Sequence, residues 1–94
     1  MNLNKGEKVY FTRILYKTRV CDLIELHVVN PSGIDIKGNK YFTACNPIDK
    51  HTLCFEEHDL GKVVFKTRKE AIEKIDEAEE VMSTLSKLHT TNEE

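Results

Sequence analysis

At 94 residues the chain has the length of one domain. A domain of that size buries only about 60 to 65 % of the surface its unfolded chain exposes, so there is little volume for an enclosed active site. With 39 % hydrophobic and 32 % charged residues it is neither a disordered nor a fibrous chain, and no apolar run approaches the roughly 18 residues of a bilayer span.

The opening "MNLNKGEK" lacks the basic-then-apolar layout of a signal peptide, so a cytoplasmic location is expected. The odd cysteine count, Cys21, Cys45 and Cys54, argues against a disulfide framework and for reduced thiols. The net charge of −2 conceals an asymmetry: residues 1–20 carry +4, residues 21–60 carry −4 and the remainder −2.

In chain order, "KVYFTRILY" predicts a strand over Lys8–Tyr16. Its alternation is blurred, with Val9, Phe11 and Leu15 beside Arg13 on one face and Tyr10, Ile14 and Tyr16 beside Thr12 on the other. "RVCDLIELHVVN" predicts a second strand, long enough to bend and serve two sheet faces. "NPSG", Asn30–Gly33, and "KGNK", Lys37–Lys40, read as turns that leave "IDI" as a short connecting strand. "KYFTAC" and "HTLCFEE" then form a hairpin across "NPIDK", and "VVF" is a short strand after Gly61.

The helix that follows has the clearest signal. Thr67 and Glu70 stand in capping-box spacing, and Ala71, Ile72, Ile75, Ala78, Met82, Leu85 and Leu88 recur at intervals of three and four. The cap satisfies the amide end of a helix that starts unusually close to Lys66, Arg68 and Lys69. The expected architecture is α+β: a small, strongly bent antiparallel sheet or SH3-like barrel of four or five strands followed by one C-terminal amphipathic helix, in a single domain over residues 1–89 with a frayed tail over 90–94.

"GKVVFKTRKEA", preceded by "FEEHDLG", resembles the D-x-G-K-x-V-F-x-T-x-E-E-A ending of small uncharacterised proteins from low-GC Gram-positive bacteria, their phages and other mobile elements, and "KGEKVYF" is similar to their openings. The resemblance implies structural roles for Gly61 (turn), Val64 and Phe65 (packing), and Thr67 and Glu70 (cap). It also implies a mobile-element setting in a bacterial host cell, where small single-domain proteins often act by binding and disabling a host enzyme or defence complex.

Four side-chain constellations bear on chemistry. Cys45, His51, Cys54 and His58 are zinc-type ligands, spaced C-x5-H-x2-C-x3-H. If Cys54 to His58 is extended, its ends lie about 13 Å apart, too far for one ion without a bend near Glu56. No metal or other cofactor is therefore expected. Cys54 sits among acidic residues and Cys21 lacks a surrounding nucleophile signature, so no catalytic residue is assigned and a non-enzymatic protein is expected. Lys8, Tyr10, Arg13, Tyr16, Lys17 and Arg19 interleave aromatic and basic groups, as in single-strand nucleic-acid binders, although the pI of about 6.1 runs against a dedicated role of that kind.

The acidic groups Glu56, Glu57 and Asp59, with Glu73, Glu77 and Glu80 on the helix, offer a surface complementary to a basic protein groove. A helix over Arg68–Leu88 is about 31 Å long and should outrun the sheet, leaving Met82, Leu85 and Leu88 to meet a partner or a second copy. The leading expectation is a protein-binding module, with an anti-CRISPR-like inhibitor of a host defence nuclease as the target class. Nucleic-acid binding through the first strand is the alternative, and no membrane partner is expected.

Overall fold

The computed structural model describes residues 3–93, with side chains described from Leu3 to Thr84. The elements are β1 (Lys8–Leu15), β2 (Val20–Ile34), β3 (Lys40–Cys45), β4 (Thr52–Glu56), a 3₁₀ turn at Glu57–Asp59, β5 (Val64–Phe65) and α1 (Arg68–Glu93). The strands form one antiparallel sheet in the order β4-β3-β2-β1-β5. This is the α+β class expected from sequence.

The sheet curls on itself. Phe11 of β1 and Phe55 of β4 are separated by two intervening strands, which would put them about 14 Å apart in a flat sheet. Their ring centroids are instead 5.2 Å apart, edge to face, and Phe42 stacks on Phe55 at 5.4 Å. Inside the curl lies the main core of Val9, Leu26, Val28, Phe42, Ala44, Phe55 and Val64, capped by Leu3. On the outer face α1 covers β1 and β2 with Ala71, Ala78 and Met82, and Thr12 and Phe65 are buried with them. The two apolar sets of β1 thus have separate destinations, which explains its blurred alternation.

β2 departs from the sequence reading. "NPSG" makes no hairpin turn; the strand runs on to Ile34, and the pairing with β3 shifts register between Val28 and Asn30 and again between Asn30 and Gly33. The local turn chemistry is still visible, because Asn30 Oδ1 accepts the Ser32 N–H at 3.2 Å. Irregularity is also where a strand tolerates the missing donor of Pro31. Gly33 leaves room for the Tyr41 ring of the partner strand: a Cβ there would meet the ring, which would have to swing aside. The reversal comes at Asp35–Asn39, so "IDI" is divided between strand end and turn.

The "HTLCFEE" strand ends at Glu56, where the 3₁₀ turn begins, and β5 is two residues long. At the head of α1, Thr67 Oγ1 accepts the Glu70 N–H at 3.3 Å and donates to Glu70 Oε1 at 2.7 Å. The glutamate thus closes on the capping hydroxyl, where sequence spacing suggested the backbone. The helix runs to Glu93, past the expected end at Leu88 and through 90–93 of the expected tail; at 26 residues it is about 39 Å long. No described helix is long and apolar enough to cross a membrane.

Candidate functional site

An open cleft of about 770 Å³ lies between the outer edge of β1 and the first turns of α1. It exists because β5 is short. β5 pairs only with Tyr10 and Phe11, and one further contact extends the ladder: Val63 O accepts both the N–H and the hydroxyl of Thr12, each at 2.8 Å. Beyond Thr12 no described segment pairs with that side of β1.

The pairing phase determines which backbone groups are left there. Val28 N–H donates to Glu7 O at 2.9 Å and Val28 O accepts the Gly6 N–H at 2.7 Å, so the backbone of Val28 faces β1, and the phase alternates from there along β1 and β2. Thr12 and Ile14 consequently point away from β2; Thr12 meets Val63, and the backbone of Ile14 opens into the cleft.

Ile14 and Phe65 give the cleft an apolar part. Glu70, Glu73, Lys74 and Glu77 form the helical wall, and Arg13, Lys62 and Tyr16 the opposite rim. Several of these charges are already engaged. Arg13 is ion-paired across the hairpin with Asp22, its Nε 3.0 Å from Oδ2; Lys74 Nζ lies 4.0 Å from Glu77 Oε1; and Glu70 serves the cap. Glu73 and Lys62 have no such partner among the described residues.

The acidic residues expected to form one surface are distributed. Glu73 and Glu77 line the cleft, and Glu80 lines a smaller depression of about 270 Å³ with Glu77, Val81 and Thr84. Glu56 and Glu57 border another, of about 530 Å³, with Gly38, Asn39, Lys40 and His58. Asp59 serves the fold: its Oδ2 accepts the Glu56 N–H at 3.0 Å, and its carbonyl accepts the amides of Lys62 and Val63, each at 3.0 Å. A 3₁₀ turn after Glu56 separates the two acidic groups, a step that charge spacing alone does not reveal.

Met82 corrects the expectation of an unpartnered helix end, for it is buried against the sheet with its Sδ 4.0 Å from Cys21 Sγ. Leu85 and Leu88, the other two residues of that expected patch, lie outside the described side chains. Burial, followed by the carboxylates of Glu79 and Asp22, pushes the Cys21 thiol up, which disfavours thiolate chemistry there. His27 shares the face of Cys21 but stands six residues along β2, about 20 Å away at extended spacing.

The aromatic–basic set is likewise divided. Tyr16, Lys17 and Arg19 lie together on the exposed four-residue turn of the β1–β2 hairpin, with Arg19 at φ 57°. Arg13 is neutralised by Asp22 and occupies the opposite sheet face from Lys8 and Tyr10.

Of the zinc-type residues, Cys45 and Cys54 are diagonal neighbours on the outer face of the β3–β4 pair. The chain does bend after Glu56, but His58 Nε2 turns to Glu56 Oε2 at 3.0 Å, and His51 Nδ1 lies 3.7 Å from Asp49 Oδ2. Among the described residues no group of three or more His, Cys, Asp or Glu side chains is placed to hold a metal ion.

Neither protein-family models nor curated proteins nor solved structures give a match to the chain.

Proposed function

We propose that the chain is a non-enzymatic protein-binding module, of phage or mobile-element origin, that occupies a surface of a larger host protein. The observation that carries the reading is the β1–α1 cleft, which combines an open main-chain edge at Ile14, apolar side chains and a carboxylate-bearing helical wall in one groove. An extended or loop segment of a target gains main-chain hydrogen bonds from the edge and charge complementarity from Glu73 and Glu77. A basic segment fits that wall, and a nucleic-acid-processing enzyme of host defence, whose groove must attract phosphates, is the target class we favour.

The test is capture from host lysate by the wild-type chain and by a Glu73→Gln, Glu77→Gln, Glu80→Gln variant, followed by inhibition of the captured enzyme. A partner held by the wild type and released by the variant, with loss of inhibition, supports the reading. Equal retention by both chains rejects the acidic wall as the contact.

A second reading rests on the exposed hairpin turn, where Tyr16, Lys17 and Arg19 could contact a nucleic-acid strand by stacking and charge. A gel-shift titration over salt separates the readings, since binding that does not weaken as salt rises rejects nucleic acid.

A further inference from the structure

The β1–α1 cleft borders one edge of the sheet; the other edge, β4, is open in a different way. Asn46 N–H donates to His51 O at 2.8 Å, which sets the phase of the β3–β4 pairing. With Asn46 and His51 a hydrogen-bonded pair, Ala44 with Leu53 and Phe42 with Phe55 follow as bonded pairs, while Cys45 with Thr52 and Thr43 with Cys54 do not. The phase of β2 gives the same answer independently: Val28 bonds toward β1, so Cys45 bonds toward β2 and turns its backbone away from β4. The N–H and C=O groups of Thr52 and Cys54 therefore point outward, with no partner among the described residues. The next outward amide, Glu56 N–H, is closed by Asp59 Oδ2.

Natural edges usually carry a lysine, a proline or a bulge as protection against pairing. "TLCFE" has none of these between its ends; Thr52 and Cys54 are exposed, and Leu53 is only half-buried. What the edge has is a charge polarity, with Lys50 leading into the strand and Glu56 ending it.

We propose that β4 is a self-association edge, at which a second copy of this chain pairs antiparallel about a two-fold axis through Leu53. In this register Thr52 of each copy faces Cys54 of the other, and each such pair exchanges both of its N–H···O bonds, using the open groups of Thr52 and Cys54 and none that is already bonded. Leu53 faces Leu53 of the second copy in the closer, non-bonded type of pair, which buries more of both side chains. At each end the turn that carries Lys50, just before the strand, comes near Glu56 of the second copy. Parallel pairing would set Glu56 beside Glu56, and a register one pair further along would require the amide that Asp59 has closed. The occupant thus follows from the pattern of open groups and charges, independently of the β1–α1 cleft.

The experiment uses the full chain under reducing conditions. Sedimentation velocity is expected to show a monomer–dimer equilibrium, and hydrogen exchange at the Thr52 and Cys54 amides is expected to slow as concentration rises. Cys54→Pro deletes an outward N–H that makes no bond within the chain, a place where an edge strand accepts proline. It should weaken association about tenfold or more, the effect of losing two ordinary main-chain hydrogen bonds. Cys54→Ser should leave association unchanged.

In the proposed register the two Cys54 residues are diagonal neighbours, roughly 7–8 Å apart with their Cβ atoms somewhat closer. A short bismaleimide should join two wild-type chains through Cys54, whereas direct oxidation, which needs Cβ atoms about 4 Å apart, should join few. A chain that stays monomeric at every concentration overturns the proposal. So does a dimer whose added amide protection falls on α1 or β1 and leaves Thr52 and Cys54 exchanging freely, and that readout decides the matter even where Cys54→Pro fails to fold.

Discussion

Gly33→Ala tests whether β2 continues through "NPSG" because of its partner strand. Position 33 pairs with Tyr41, and the added methyl would sit 2.3 Å from the ring, so the half-buried ring must swing away. If about 50 Å² of apolar surface is re-exposed, the loss is about 1.3 kcal/mol. Stiffening of the unfolded chain by alanine returns about 0.5 kcal/mol, because the φ of Gly33 is not in the left-handed region. The net expectation is a destabilisation of about 1 kcal/mol, or ~4–8 °C in Tm for a domain of this size. In a Tyr41→Ala background the obstacle is gone and only the entropic gain remains, so the same substitution should stabilise. Urea denaturation of the four chains in the cycle measures the coupling, expected at about 1.3 kcal/mol, the ring term alone. Equal effects of Gly33→Ala in both backgrounds would refute the ring-over-glycine account.

Thr67→Ala removes the hydroxyl that accepts the Glu70 amide and should cost about 1 kcal/mol, with helix loss visible by circular dichroism on the cleft wall's own element. Arg19→Gly relieves a left-handed residue in the β1–β2 turn and should stabilise by about 0.5 kcal/mol in the same denaturation assay. The Asp35 carboxyl is held below its ordinary range chiefly by the Asn39 amide, with the Lys37 amide assisting. Its folded pKa being depressed, its contribution is present above the unfolded value near 4 and is lost as pH falls through the lower folded value. Amide exchange at Lys37 and Asn39 should therefore gain a conformational component only below about pH 4, and Asp35→Ala should abolish that acid dependence. Thiol labelling should reach exposed Cys54 first and Cys21 last, since Cys21 is packed on Met82 with its thiol pushed up.

What the sequence made legible follows from how local each signal is. β1, β3, β4 and the start of α1 were readable because β-branched and aromatic runs, capping spacing and Gly61 act within a few residues. The end of β2 was not, because Asn30, Pro31 and Gly33 carry genuine turn chemistry that pairing with β3 converts into bulges and a close glycine–tyrosine contact. The candidate site shows the same division. Arg13, Glu73 and Glu77 could be named in advance and Lys62 and Lys74 were not, while Arg13 is neutralised by a residue that faces it only once the hairpin register is set, and Met82 is covered by Cys21 from 61 positions away.

The open edges illustrate the more general point. "VVF" against "KVYFTRIL" already shows a mismatch in length between an edge strand and its neighbour, a signal that some of β1 would lie unpaired. Which of its residues offer their backbone is a matter of phase, set by one bond from Val28 to Glu7 and invisible in composition. The two edges then differ in protection. Beside Ile14 stand α1, Lys62 and the paired Arg13, so an incoming strand must fit between a helix and fixed charges, and selectivity follows. Beside Thr52 and Cys54 only the ends are charged, so the requirement is a strand of opposite polarity, which the chain itself supplies. In the two proposals, then, one sheet would use a helix-flanked edge for a foreign segment and a self-complementary edge for its own copy, and the two edges share no residue.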